Sequence, residues 1–176
     1  MNDNRFTKLG YFLHDRIRKA GNFLMKHPAL YFLLNCTWGS LLTIMGLIIT
    51  VILLPFSGFK IKRYNNIYYL KTCFKGYWGF EMGLMFVIAK DGDTRYLKNH
   101  EYGHTVQNAI LGPFQLILVT IPSFLRYWYR EIRELLGKPC RNDYDDIWFE
   151  WNATKLGSDY YFYEPNIFNT NKGEKK

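Results

Sequence analysis

Two histidines separated by three residues carry the clearest chemistry in this chain. His100, Glu101 and His104 lie in the segment His-Glu-Tyr-Gly-His, which is an HExxH pattern. On a helix, residues four apart lie on the same face, so both imidazoles can bind one metal ion. Glu101 then reaches a water on the metal, whose pKa is lowered toward ~7, and accepts its proton as a general base. The pattern predicts a zinc site at which Glu101 is catalytic.

A catalytic zinc ion needs a third protein ligand and one open position for water. The other histidines, His14 and His27, precede a long apolar segment and are poor candidates, so we expect a carboxylate. Glu150 is preferred, because it lies on a predicted helix whose small Ala153 would allow a close approach to the HExxH helix. Asp146, four residues earlier on the same face, is the alternative ligand or a hydrogen-bond partner of a zinc-bound histidine.

A helix over residues 95–111 must position the two histidines. Asp93 or Thr94 can cap its first turn, and Gly112 together with the following proline ends it. Gly103 lies inside this helix, although glycine costs about 1 kcal/mol of helix propensity relative to alanine. We therefore expect another backbone to approach closely at Gly103.

Extended segments precede this helix and further helices follow it. Residues 64–74 and 77–88 predict a short antiparallel sheet. Residues 83–88 are either the edge strand for an extended peptide or an ordinary core strand. Residues 123–136 and 144–156 predict two later helices, the second ending at Gly157. The acidic residues outside the proposed site, such as Asp143 and Asp145, are interpreted as charges that face solvent.

One long segment contains no charged side chain. Residues 27–59 include no Asp, Glu, Lys or Arg, and a continuous helix over residues 30–54 would be long enough to cross a ~30 Å hydrocarbon core. A second apolar segment, residues 113–125, contains two prolines and is too short for a complete crossing. We expect it to be re-entrant, interfacial or buried in protein.

The first 28 residues predict a basic amphipathic helix. Its apolar positions recur every three or four residues and are Phe6, Leu9, Leu13, Ile17, Ala20 and Leu24. Such a helix suits an anionic membrane face, and the alternative is that it rests on the remainder of the protein.

Composition limits the class of protein. The chain has 176 residues, 48% of them hydrophobic, which excludes a disordered chain. Three cysteines exclude a disulfide-dense scaffold. The net charge of +8 is interpreted as attraction to a membrane surface, because the sequence contains no nucleic-acid-binding motif.

At these residues the sequence resembles a known group. HExxH followed by Glu-x-x-Ala on a later helix resembles the gluzincin-type zinc metallopeptidases. The stretch HEYGHTVQNAILGPFQLILVTIPS is also similar to small bacterial membrane-associated proteins of HExxH type. The resemblance implies zinc ligands at His100, His104 and Glu150, with Glu101 catalytic. Thr154 stands where many gluzincins have an aspartate, which leaves the partner of the zinc-bound histidine unassigned.

The sequence thus predicts an α+β protein. Its expected parts are a basic amphipathic helix, a transmembrane anchor, a zinc metallopeptidase-like domain with a short sheet and an HExxH helix, and a C-terminal tail, at residues 1–28, 29–59, 60–158 and 159–176. We expect it to hydrolyse a peptide or protein substrate in a bacterial plasma membrane, in contact with the lipid bilayer and without nucleic acid.

The same residues are compatible with other functions. The alternatives to a peptidase are a membrane scaffold or binding protein with a structural metal, and a metal-dependent hydrolase of a non-peptide substrate. Four residues could donate a hydrogen bond to the developing oxyanion: Tyr144, Tyr160, Tyr161 and Arg126.

Overall fold

A computed structural model describes residues 8–140 and 142–163, with side chains up to residue 159 in the last helix. This part of the chain forms six α-helices and a four-stranded sheet, so the α+β prediction is confirmed. The helices are α1 (Lys8–Lys26), α2 (Pro28–Cys36), α3 (Ser40–Leu53), α4 (Arg95–Leu111), α5 (Ile121–Leu135) and α6 (Trp148–Tyr163). Short 3-10 turns occupy Pro55–Ser57 and Lys90–Gly92, and a π-helical turn at Leu116–Thr120 leads into α5.

The sheet is mixed rather than antiparallel. Its strands are β1 (Ile61–Tyr64), β2 (Ile67–Lys71), β3 (Gly79–Met82) and β4 (Met85–Ile88), in the order β1-β2-β4-β3. The central strands β2 and β4 are parallel, and the two outer pairs are antiparallel. Of the two interpretations of residues 83–88 the edge strand is wrong and the core strand is confirmed, because β4 is buried at every position between two neighbours. The edge strands are β1 and β3.

The charge-free segment does not form one continuous helix, so the prediction of a single helix over residues 30–54 is wrong. It is divided into α2 and α3, whose axes differ by 82°. The residues between α2 and α3 form hydrogen bonds with α4. The Asn108 amide donates to the Gly39 carbonyl oxygen at 3.1 Å, and Trp38 Nε1 donates to the Ile110 carbonyl oxygen at 3.2 Å. Among the described residues no single helix is both long enough and apolar enough to cross a membrane. Helices α2 and α3 meet these two criteria only when they are taken together as a bent pair, judged by length and composition.

The helices around the HExxH segment follow their local signals. The Thr94 side chain accepts a hydrogen bond from the Leu97 backbone N–H and caps α4, which ends before Gly112 as predicted. Helix α5 also forms within two residues of its predicted limits. Helix α6 begins four residues later than predicted and continues past Gly157, because Gly157 contacts the backbone of Asn99 at a helix crossing instead of ending the helix.

Helix α1 lies on the body of the protein. Its buried face packs against α6 and α4 and consists of Gly10, His14, Ile17, Gly21 and Leu24. The hydrophobic core joins Ile17 of α1 to Phe86 of β4, Val106 of α4 and Leu156 of α6. Predicted residues at positions 1–7, including Phe6, and the tail from residue 164 lie outside the described part of the chain.

Candidate metal centre

Helix α4 places its two histidines on the same face of the helix, one turn apart. The Nε2 atoms of His100 and His104 are 3.2 Å apart, and the two rings are nearly perpendicular. Both side chains are buried. The i, i+4 spacing therefore produces the convergence that the sequence predicted.

Helix α6 brings Glu150 to the same point. Glu150 Oε2 lies 3.1 Å from the Nε2 atom of each histidine. The approach requires a glycine at position 103, because a Cβ atom on Gly103 would lie 1.9 Å from the Ala153 carbonyl oxygen. Gly103 and Ala153 thus meet as predicted. Asp146 does not join the group: it lies in the loop before α6, where its carboxylate accepts a hydrogen bond from the Asp143 backbone N–H.

A hydroxyl orients the ring of His100. Thr154 Oγ1 lies 2.8 Å from His100 Nδ1 and donates to Asp145 Oδ2 at 2.9 Å. Because the hydroxyl proton goes to Asp145, the Thr154 oxygen accepts the Nδ1 proton of His100. The Nε2 lone pair of His100 therefore faces Glu150, which is the tautomer that a metal ligand needs.

An amide orients the ring of His104. Gln107 Oε1 lies 2.8 Å from His104 Nδ1, and Gln107 Nε2 donates to the Phe149 carbonyl oxygen and to Asn152 Oδ1, each at 2.8 Å. These two acceptors fix the amide so that its oxygen receives the Nδ1 proton. The Asn152 amide continues the network to His14 Nδ1 on α1.

The electrostatics of the three groups favour a cation between them. Burial alone would raise the pKa of Glu150, but the two imidazoles outweigh it and hold this pKa far below its usual range. Burial likewise opposes the charged form of His104, yet Glu150 raises the pKa of His104 to about 9. Glu150 is therefore ionised, and positive charge at the point where it meets the histidines is stabilised.

The donor set fits a bound metal ion. The nearest ligand atoms of His100, His104 and Glu150 all lie within 4.8 Å of one another. Glu150 Oε1 is buried, and no hydrogen-bond donor contacts it in the described residues. Unpartnered buried oxygens are costly, and a cation would satisfy this one. The group could hold a metal ion.

Glu101 lies beside the group without belonging to it. A Cβ atom on Gly79 of β3 would lie 2.7 Å from Glu101 Oε1, so the absence of a side chain there admits the carboxylate. Burial raises the pKa of Glu101, and the neighbouring imidazoles oppose that rise only in part. A raised pKa brings a carboxylate closer to the range in which it exchanges protons near neutral pH.

The metal centre opens into a cleft of about 810 Å³. Its walls come from α3, β3, α4, the π-helical turn and α5, and His100, Glu101 and His104 lie among its lining residues. Tyr144 also lines it, with its hydroxyl 2.9 Å from Ser123 Oγ. Burial and the nearby Glu150 carboxylate raise the pKa of Tyr144, so its phenol keeps its proton at neutral pH.

The other oxyanion candidates are placed differently. The guanidinium of Arg126 lies over the Tyr144 ring and donates to the Tyr144 carbonyl oxygen, so it supports the tyrosine. The side chains of Tyr160 and Tyr161 lie outside the described part of the structure. Tyr144 is thus the one of the four that the described structure places in the cleft wall.

Sequence reasoning missed several polar residues of the centre. Asp145, interpreted as a solvent-facing charge, accepts hydrogen bonds from Thr154 and from the Tyr96 hydroxyl. The spacing of Thr154, four residues after Glu150 on one helix face, was an available signal. Glu81 of β3 is a further buried carboxyl group, and burial raises its pKa to about 8. The position of Glu81 in a strand gave no indication from the sequence that its carboxyl group is buried.

Comparison with protein-family models, with curated proteins and with solved structures finds no match to this chain.

Proposed function

We propose that this chain is a zinc-dependent metallopeptidase that works at a membrane. The observation that carries the proposal is the convergence of His100, His104 and Glu150 on one point, with the free carboxylate of Glu101 beside it on the cleft side. The gluzincin-like spacing of these residues supports the same interpretation.

Zinc is the metal that suits this donor set. Two neutral imidazoles and one carboxylate are the ligands of a common type of catalytic zinc site, which keeps a fourth position open. A structural site is normally closed by four protein ligands, whereas the three-residue group found in the described residues opens into the cleft. The open position favours catalysis over a purely structural metal.

The residues of this chain divide the hydrolytic work between them. A zinc ion bound at this centre would act as a Lewis acid and lower the pKa of a water. Glu101 accepts the proton of the attacking water and passes it to the leaving amine. Tyr144 donates its phenolic hydrogen bond to the oxygen on which negative charge develops. Glu150 and the partners of the two histidines hold the imidazoles in place.

Strand β3 offers a template for an extended peptide. The Ala89 backbone N–H donates to the Trp78 carbonyl oxygen at 2.9 Å, and pairing alternates along an antiparallel ladder. The backbone groups of Gly79 and Glu81 therefore point away from β4, to the side of β3 on which no strand of the described part of the chain lies. Gly79 also contacts Glu101, so a peptide paired with this edge would run past the general base. This edge favours a peptide over a non-peptide substrate.

The position at a membrane is supported by the burial pattern of α3. Its inward face carries Leu42, Thr43, Gly46 and Thr50, whereas most of the larger aliphatic side chains are exposed. The exposed group comprises Leu41, Ile44, Leu47, Ile48, Val51 and Ile52. A helix in contact with water has the reverse arrangement, so an apolar medium around α3 explains its sequence.

The Glu101→Gln variant tests the proposed chemistry. Glutamine keeps the shape of the side chain but accepts no proton, so we expect zinc to remain bound while hydrolysis of a fluorogenic peptide falls by about 10²-fold or more. Asp15→Asn removes a carboxylate from the exposed face of α1 and serves as the matched control with full activity. Undiminished hydrolysis by Glu101→Gln would refute the role of Glu101.

A further inference from the structure

Helix α5 turns its apolar side chains away from the protein. The structure describes the whole helix, and no residue in it is buried. Its outward face, with that of the preceding π-helical turn, consists of Ile117, Ile121, Leu125, Ile132 and Leu135. The opposite face lines the cleft with Ser123, Tyr127, Glu131 and Glu134. Because an amphipathic helix turns its apolar face away from water, the medium outside α5 must be apolar.

Polar bonds, rather than apolar packing, hold α5 in this position. Arg126, Arg130 and Arg133 donate to main-chain carbonyl oxygens of residues 138–144. The three guanidinium groups fasten α5 to the loop that precedes α6. Its aliphatic face is thereby left free to contact something outside the chain.

The composition along this segment identifies a lipid bilayer as that contact. Residues 113–125 contain no charged side chain, and in the next eight residues Trp128 and Tyr129 alternate with Arg126, Arg130 and Arg133. An apolar part followed by a part that mixes aromatic and cationic residues is typical of a segment that passes from hydrocarbon to the headgroup level. The net charge of +8 adds attraction to anionic lipid. A second copy of the chain would not require aromatic and cationic residues to be mixed next to the apolar part.

Both apolar helices contribute side chains to the walls of the cleft. Ile49 of α3 and Phe124 and Trp128 of α5 line it, and the last two are also half exposed. These side chains give an apolar chain a surface to contact both at the outer face of α5 and inside the cleft. Inside the cleft the walls remain aromatic, with Trp78 and Phe80 next to the edge of β3.

We propose that α5 lies in the membrane interface and forms the lipid-side wall of the cleft, so that the substrate is an apolar, extended polypeptide segment that enters from the bilayer. This inference rests on the proposed peptidase function and adds to it the substrate class and its direction of approach. The open backbone edge at Gly79 and Glu81 favours a polypeptide over a lipid, because an acyl chain has no groups that pair with it.

Two forms of one peptide test the direction of approach. The probe is an internally quenched apolar peptide, prepared with a polar tail or with a palmitoyl chain that holds it on vesicles of phosphatidylethanolamine and phosphatidylglycerol. We expect the full-length, zinc-loaded protein in these vesicles to cleave the tethered form about ten-fold faster or more, because tethering raises the local concentration where the cleft opens. Equal rates would overturn the proposal.

Variants of the outer face locate the effect. The double change Leu125→Ser and Ile132→Ser should remove the advantage of the tethered peptide and leave cleavage of the polar form unchanged, since neither residue lines the cleft. Ile61→Ser on β1 is the matched control, because Ile61 is 50% exposed and Ile132 is 52% exposed. A double variant that still cleaves the tethered peptide faster than the polar form would contradict the role of α5. The same holds for a double variant whose only change is from a dimer to a monomer.

A measurement independent of activity separates the two proposals. In a variant whose native cysteines are replaced, a fluorophore on Ile132→Cys should be quenched strongly by brominated lipid, and one on Ile61→Cys should not. Unquenched fluorescence at position 132 would overturn the membrane contact even if the enzyme is active. If the zinc-loaded protein cleaves neither peptide, the peptidase function and the substrate class both fail, while quenching still decides the position of α5.

Discussion

The Nδ1 proton of His100 reaches a carboxylate only through the hydroxyl of Thr154. Asp145, which accepts from that hydroxyl at 2.9 Å, comes from the loop before α6 rather than from the helix itself. A direct aspartate at position 154 would place a second negative charge in the same helix turn as Glu150. Through Thr154 the histidine is linked by hydrogen bonds to the carboxylate of Asp145. The helix turn next to the candidate metal centre therefore carries only one carboxylate, that of Glu150.

Thr154→Val should weaken zinc binding. Valine keeps the shape of the side chain but cannot accept the Nδ1 proton of His100, so the ring loses the partner that fixes its tautomer. We expect the zinc Kd to rise about 10- to 100-fold, as for other partners of metal-bound histidines, in a competition titration with a chromophoric chelator. Thr154→Ser keeps the hydroxyl and is the control. Equal affinity of the valine variant and wild type would show that the hydroxyl does not orient the ring.

Glu81 makes the metal-free protein sensitive to pH. Burial raises its pKa to about 8, which the hydrogen bond from the Gly83 backbone N–H only partly opposes. The folded state then holds a proton that the unfolded state has released. The contribution of Glu81 to stability is therefore fully present below the ordinary pKa of 4.5 and is lost as pH rises to about 8.

Glu81→Gln should remove this dependence. The amide oxygen can still accept from Gly83, but the side chain no longer ionises. We expect urea unfolding of the metal-free proteins to give similar stabilities near pH 4 to 5 and a more stable variant above about pH 8, since each pKa unit of difference corresponds to about 1.4 kcal/mol. A difference between the two proteins that is constant with pH would contradict the assignment.

At the scale of elements, the crossing of α4 and α6 forms the metal centre. Two glycines make it possible: Gly103 meets Ala153, and a Cβ atom on Gly157 would lie 1.8 Å from the Asn99 carbonyl oxygen. Each helix thus has one glycine at which the backbone of the other helix makes close contact. The distance between the histidines and Glu150 depends on both.

Gly103→Ala should therefore be destabilising, although alanine favours a helix by about 1 kcal/mol. The new methyl group would overlap the Ala153 carbonyl, and overpacking of this kind costs about 1–3 kcal/mol. We expect a lower Tm by calorimetry together with weaker zinc binding, because Glu150 would be displaced from the histidines. An unchanged or higher Tm with full zinc affinity would mean that the crossing tolerates a wider separation.

The elements that could be predicted are those whose signals are local. The cap at Thr94, the end at Gly112 and the small residues Gly103 and Ala153 predicted α4 and its neighbour from the sequence alone. The break between α2 and α3 could not be predicted, because the Asn108 amide that bonds to it lies more than 60 positions away in the sequence. The central position of β4 also depends on a distant partner, since β3 separates β4 from its parallel neighbour β2 in the sequence.

At the scale of the whole molecule, the two ends of the cleft have different chemistry. The inner end contains two imidazoles and three buried carboxyl groups, those of Glu81, Glu101 and Glu150. The outer end lies between helices whose exposed faces are aliphatic and aromatic. The sequence predicted the ligand set by spacing, but not the orientation of the cleft, which results from how α3 and α5 pack around the sheet and α4.

The zinc content of the purified protein decides whether His100, His104 and Glu150 hold a metal ion. We expect close to one zinc ion per chain in wild type and in Glu101→Gln, and loss of zinc in both His104→Ala and Glu150→Ala, measured by elemental analysis of correctly folded protein. Wild-type protein that binds no zinc, or zinc that persists in both ligand variants, would contradict this assignment.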